Sequence, residues 1–301
     1  MPEDYRKFLD PVIVSKLATL ELKARLVVEG FIVGLHRSPY HGFSVEFSEH
    51  RQYMPGDEIK HIDWKVYGKS DRFFIKQFEE ETNLRCHILL DCSGSMAYRS
   101  SGAGRISKFE YASYLAAALA YLMLRQQDAC GLVVYDERIQ SFIPPRGTRS
   151  HLNNILKAIE NSTPSNRTDA AVTFHELADK INRRGLVIII SDLFDDPEKM
   201  LGGLRHFRHR KHDVVVFQIL DPFERHFSYG AEARFRDLET GEMLLTNPLQ
   251  IRGEYVRRLN SFIEDFSRRC RDSLIDYHLM DTSQPFDRAL FGYLAKRSKL
   301  G

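Results

Sequence analysis

Tryptophan occurs once and cysteine four times in 301 residues, and neither is arranged to do chemistry. Cys86, Cys92, Cys130 and Cys270 form no C-x-x-C pair and no zinc-like spacing, which excludes a zinc ribbon and offers no disulfide framework. A reduced, intracellular thiol set is the simplest account. Long apolar runs are missing too. The stretch Leu26 to Leu35 is broken by Glu29 and is too short to span a bilayer. Met1 to Lys7 starts acidic with no apolar segment behind it, so a signal peptide is not expected and a cytoplasmic location is. Charge of one sign is lacking: a formal net charge of +2 gives no argument for nucleic acid or anionic membrane as partners. There is no Walker A loop and no G-x-S-x-G elbow, which argues against an ATPase and against a Ser-His-Asp hydrolase. Internal repeats and low-complexity linkers are absent.

What is present reads as an ordinary globular chain, 43% hydrophobic and 28% charged. From Arg85 onward short apolar runs alternate with amphipathic segments. Cys86 to Asp91, Gly131 to Tyr135, Leu186 to Asp192, Asp213 to Leu220 and Leu274 to Met280 read as strands, with Arg138 to Ile143 as an antiparallel partner. Lys108 to Arg125, Ser150 to Asn161, Asp169 to Arg183, Pro197 to Arg210 and Gln250 to Arg271 show helical spacing. Gly185 is placed as a helix stop, and Ala233 to Thr246 as a hairpin turning at Thr240-Gly241. Strands that are apolar throughout, rather than alternating, belong to a mostly parallel sheet covered on both faces. The expected fold is therefore a doubly wound, Rossmann-like α/β domain over residues 85–301. Residues 1–84 read as a helical lead-in (Val12 to Gly34) and a small β appendage (Phe43 to Phe47, Arg72 to Phe78).

In an open α/β sheet, ligands bind beyond the carboxyl ends of the strands. Three polar loops fall at that edge: Asp91-Cys92-Ser93-Gly94-Ser95-Met96, Asn166-Arg167-Thr168-Asp169-Ala170, and Ser191-Asp192-Leu193-Phe194-Asp195. They supply carboxylates and hydroxyls with almost no sulfur or imidazole, a donor set suited to Mg²⁺, Mn²⁺ or Ca²⁺. Few carboxylates would leave positive charge on such an ion, able to accept an acidic side chain from a partner.

At these residues the chain resembles von Willebrand factor A domains. Asp91-Cys92-Ser93-Gly94-Ser95 matches their D-x-S-x-S signature, Thr168 stands at their threonine position and Asp192 at their aspartate position. The resemblance implies a metal-ion-dependent adhesion site of Asp91, Ser93, Ser95, Thr168 and Asp192. A second block, Arg51 to Trp64, resembles the R-x-Y-x-P-G-D-x-x-R-x-I-D-W segment of the widespread bacterial family called domain of unknown function 58, with Lys60 in place of the usual arginine. Members of that family are typically encoded beside MoxR-type AAA+ ATPases. What this resemblance implies is a non-enzymatic adaptor or co-chaperone that helps such an ATPase mature client proteins.

Each signal has a plainer reading. Asp91, Ser93 and Ser95 can be a loop or helix-cap cluster without metal, Thr168 an N-cap, and Asp192 a cap of its own loop. Asp195 and Asp196 fit the first turn of the following helix. Asp57, His61 and Asp63 suit a turn network over Trp64 better than an acid/base set, and Cys92 is not expected to be redox-active. The basic strip Arg205 to Lys211 with His212 reads as a solvated helix end whose cations favour the C-terminal dipole; the sharper reading, a phosphate- or zinc-binding strip, lacks acidic or cysteine partners nearby. Leu259, Phe262, Ile263 and Phe266 form a stripe expected to be core before it is a groove. The competing function is a metal-dependent hydrolase or phosphatase with Asp91 as nucleophile; Ser93 in place of a second acid, and no lysine close to the three loops, argue against it.

Overall fold

The computed structural model describes residues 10–37, 50–52, 67–68, 74–76, 84–102, 105–165, 170–230, 233–239 and 241–297. The strand expected over Phe43 to Phe47, most of the block ending at Trp64, and Thr168 lie outside them.

Six strands form the central sheet: β3 (Arg85–Asp91), β4 (Ala129–Tyr135), β5 (Ile139–Arg146), β6 (Leu186–Ser191), β7 (Asp213–Leu220) and β10 (Asp276–Asp281). Their order is β10-β7-β6-β3-β4-β5, parallel throughout except for the antiparallel edge strand β5. The chain starts this sheet in the middle, at β3, then builds outward on one side with β4 and on the other with β6. The two directions diverge between β3 and β6, and that divergence opens a crevice at the carboxyl ends of the two strands.

Side chains alternate between two apolar layers. Ile88, Leu90, Leu132, Ile188 and Phe217 point to one face, which is covered by α2 (Leu20–Arg37), α3 (Lys108–Arg125), α4 (His151–Glu160) and α9 (Asp287–Arg297). Leu89, Val133, Val187, Ile189 and Val216 point to the other, under α5 (Ala170–Lys180), α6 (Pro197–His209) and α8 (Pro248–Asp272). The expected doubly wound α/β arrangement, with both faces covered, is what the chain forms. Helix α3 is the core helix: Tyr111 to Ala120 are buried without a break, and a reciprocal Ser107/Glu110 box caps its start.

The segment before residue 85 contributes to the same layer. A short α1 (Pro11–Ser15), capped by Asp10, leads into α2, whose Ala24, Val27, Val28 and Phe31 are buried together with α3. Phe31 packs edge-on against Phe291 of α9 with ring centroids 4.8 Å apart. The strands β1 (His50–Gln52) and β2 (Phe74–Lys76) pair antiparallel. Further along, α7 (Pro222–His226) follows β7, and β8 (Ala233–Arg236) pairs with β9 (Met243–Thr246) in the expected hairpin. Among the described residues, no helix is long and apolar enough to cross a membrane.

Two local expectations change. Helix α5 ends at Lys180, five residues before Gly185; a Cβ at Gly185 would lie 2.2 Å from the Arg85 carbonyl oxygen, so glycine is there for the close approach of β6 to β3. The basic strip has acidic partners after all, supplied by other elements. Arg208 bonds Asp213 at 3.0 Å, and Arg210 bonds Asp179 of α5 at 2.7 Å.

Candidate functional site

Strand β3 closes with the apolar run Ile88-Leu89-Leu90 before Asp91, so the fold carries that carboxylate to the end of a buried strand, where it is fully enclosed. One oxygen accepts from the Ser93 N–H at 2.9 Å; the other accepts from the Ser191 hydroxyl, at the end of the neighbouring β6, at 2.5 Å. Both donors are neutral. Burial, and next the charge of Asp192, push the Asp91 carboxyl up to about 7, against the lowering effect of the Ser191 and Ser93 bonds.

The loop then turns through a single 3-10 turn, Gly94–Ala97. Ser93 stands at its N-cap position yet makes no side-chain cap bond; its hydroxyl lies 3.1 Å from the Ser95 hydroxyl instead. The helix-cap reading of these serines is thereby set aside for Ser93, and two hydroxyls are brought together beside a carboxylate.

Asp192 does two things at once. Its Oδ1 accepts from the Phe194 N–H at 3.2 Å, the loop-capping bond foreseen for it, while Oδ2 accepts from Lys108 Nζ at 2.7 Å. This corrects the expectation that no lysine lies near the three loops. Lys108 is the first residue of α3 and is wholly buried, and its ammonium also bonds Glu224 of α7 at 2.8 Å. Burial by itself would lower that ammonium; Asp192 and Glu224 outweigh it and hold it above the ordinary lysine range. Burial also raises Glu224, with Lys108 acting against the rise. The rings of Phe194 and Tyr98 flank the ammonium, at 4.9 Å and 5.8 Å from their centroids.

The described residues nearest Thr168 are Ser165 and Ala170. The Ser165 N–H donates to the Cys92 carbonyl at 3.0 Å, and the Ala170 N–H donates to Asp195 at 3.1 Å. Asp195 therefore serves the start of α5, while Asp196 alone caps α6, the helix both were expected to serve. The first and third polar loops meet through the Ser191–Asp91 bond. Cys92 is buried, its thiol 3.7 Å from the Thr163 carbonyl; burial first, then Asp136 and Asp91, push it up to about 12, which keeps it protonated and unreactive.

The residues missed in the sequence are Lys108 and Glu224. Glu224 was within reach of the same rule that found the other loops, since Asp221-Pro222-Phe223-Glu224 caps a helix at the carboxyl end of β7. Lys108 carried no local signal; only the packing of α3 against the crevice turns its side chain inward.

The donors suit a hard divalent cation by chemistry. Asp91 and Asp192 supply carboxylates, and Ser93 and Ser95 paired hydroxyls, with no sulfur or imidazole among the bonded groups. Among the described residues, no cluster of three or more His, Cys, Asp or Glu side chains is arranged to hold a metal, so any ion here would rest largely on hydroxyls.

Over 235 residues the chain is 28% identical to the uncharacterized protein Rv1480 of Mycobacterium tuberculosis, and equally to the uncharacterized protein Mb1516 of Mycobacterium bovis, covering 77% of this chain and 73% of each relative. Among solved structures, the conserved hypothetical protein BatB from Bacteroides thetaiotaomicron superposes with a TM-score of 0.48 at 17% identity, over 72% of this chain and 98% of that one. An aerotolerance-related membrane protein from Bacteroides fragilis gives a TM-score of 0.49 at 16% identity, over 71% and 99%. A family model matches residues 49–261, and the chain belongs to that family, described as protein of unknown function DUF58.

Proposed function

We propose that this chain is a protein-binding module that uses a divalent cation, held by Asp91, Ser93, Ser95, Thr168 and Asp192, to capture an acidic side chain of a partner. The observation that carries the reading is the enclosed Asp91 carboxylate beside Asp192, bonded only to neutral donors and next to the paired Ser93 and Ser95 hydroxyls. Charge supports it. Asp192 and Glu224 share the Lys108 ammonium, and Asp91 feels the charge of Asp192; when all four are ionised, two negative charges remain, the charge that one divalent cation balances. When bound, the ion supplies a Lewis-acid position for a partner's carboxylate. Asp91 and the serines would orient that position, and Lys108 holds Asp192 through a 2.7 Å bond.

Mg²⁺ suits this donor set, with Mn²⁺ or Ca²⁺ as substitutes. The adhesion-site resemblance of von Willebrand factor A domains points the same way. The family's usual gene neighbours suggest the partners, a MoxR-type AAA+ ATPase and the client protein it matures.

The alternative, a hydrolase or phosphatase using Asp91, gains from the structure the lysine it lacked in the sequence. That lysine is buried and already gives two of its three donors to carboxylates, so it is committed to Asp192 and Glu224 before any phosphate.

Mn²⁺ titration followed by electron paramagnetic resonance tests the proposal. The parent protein should quench the free-ion signal, and Asp91→Ala should bind about 10-fold or more weakly. Equal quenching by both, or none by either up to millimolar ion, rejects the site.

A further inference from the structure

The two edges of the central sheet are treated differently. β5 carries Pro144 and Pro145, which remove N–H donors, and its pairing with β4 is interrupted by register shifts. Prolines and bulges are the ordinary means of blunting a strand edge. β10 has neither. Its six residues, Asp276 to Asp281, run in unbroken parallel register with β7, and among the described residues nothing pairs with its outer side. Tyr277, His278 and Leu279 are half-exposed there, whereas every residue of β7 is buried. Alternate N–H and C=O groups of such an edge point outward and stand open to a further strand.

A cleft of 490 Å³ runs beside this edge, lined by Tyr277 and His278 of β10 and by residues of three helices. Each helix contributes an arginine to it: Arg225 from α7, Arg271 from α8 and Arg288 from α9. Ion pairing accounts for most other arginines at helix surfaces here, such as Arg257, Arg258, Arg268 and Arg269. None of the three cleft arginines is ion-paired among the described residues; Arg288 bonds only the Gln284 amide oxygen, at 3.3 Å. Glu264 is the acidic residue in the lining.

We propose that the outer edge of β10 takes up an extended acidic segment of a partner protein, added as a further strand of the sheet with its carboxylates on Arg225, Arg271 and Arg288. The open edge supplies main-chain bonds, which any extended peptide can use; the arginines select acidic side chains through forked, charge-assisted bonds. A nucleic acid has no alternating N–H and C=O groups with which to extend the ladder of a strand edge. This surface lies at the sheet margin and is independent of the cation reading at Asp91.

A short fluorescein-labelled peptide of repeated valine-glutamate-glutamate, which puts carboxylates on both faces of an added strand, followed by fluorescence anisotropy on the full chain, tests the proposal. The peptide should bind the parent protein, and its valine–lysine counterpart should not. Arg271→Glu with Arg288→Glu should weaken binding about 10-fold or more. Both positions are exposed, so the far-UV spectrum and thermal midpoint should match the parent. A peptide N-methylated at alternate residues keeps its charge and loses its ladder donors, so it too should bind weakly. Unchanged affinity in the arginine double variant overturns the site. Equal binding of the N-methylated peptide overturns strand addition, and stronger binding of a labelled oligothymidylate than of the acidic peptide overturns the choice of partner.

Discussion

Lys108 stands where a single side chain decides how much charge the crevice can hold. A lysine at the first position of a helix normally extends into water; here the ammonium is enclosed and shared between Asp192 and Glu224. Removing one partner of a buried ion pair leaves the others uncompensated, which costs about 3–5 kcal/mol. Lys108→Met should therefore lower the urea unfolding free energy of the metal-free protein by that order. A loss under about 1 kcal/mol, the scale of exposed ion pairs, would show that the ammonium is not buried in solution.

Asp91 makes a prediction of the opposite kind, because its folded-state pKa is raised, from 3.8 to about 7. The native state then holds a proton that the unfolded chain gives up. Its contribution is full below about pH 4 and is lost as pH rises through about 7, a few kcal/mol in all. Metal-free protein should lose stability from this group between about pH 4 and pH 7. Asp91→Asn, which does not titrate, should show a flatter profile in the same chemical-denaturation series; identical slopes would remove Asp91 as the source.

At the scale of elements, the strand β6 and the helix α3 fall where periodicity put them, since each carries its signal within its own residues. Gly185 shows what periodicity misses. A glycine after a helical stretch reads as a stop, but the constraint on it is the Arg85 backbone of the adjacent strand. Gly185→Ala would force a methyl group into that carbonyl and should destabilise by about 1–3 kcal/mol, read as a lower thermal midpoint. A neutral result would mean that β3 and β6 separate more readily than their packing implies. The stripe on α8 divides in the same way. Leu259 and Phe266 are buried as core, whereas Ile263 lines the cleft beside β10, a difference set by where the sheet ends.

For the whole molecule, the change of pattern near residue 85 suggests two parts, yet α2 lies in the same apolar layer as α3 and α9. A fragment beginning at residue 85 would expose the surface that Ala24, Val27, Val28 and Phe31 cover. Large exposed apolar areas of that kind promote association. Such a fragment should bind a hydrophobic dye and unfold at lower urea than the full chain. Equal midpoints would show that the α/β part is complete without α2.

The sequence by itself determined the α/β class, the parallel strands and the carboxyl-edge positions of Asp91 and Asp192, because these follow from apolar runs and from polar residues placed at their ends. Tertiary structure alone decided what those carboxylates touch. The Ser191–Asp91 bond joins residues a hundred positions apart, and Lys108 reaches Asp192 and Glu224 across 84 and 116 positions. No local pattern encodes such separations. They arise when β6 settles beside β3 and α3 packs across the crevice, and the same packing leaves β10 as the open edge of the sheet.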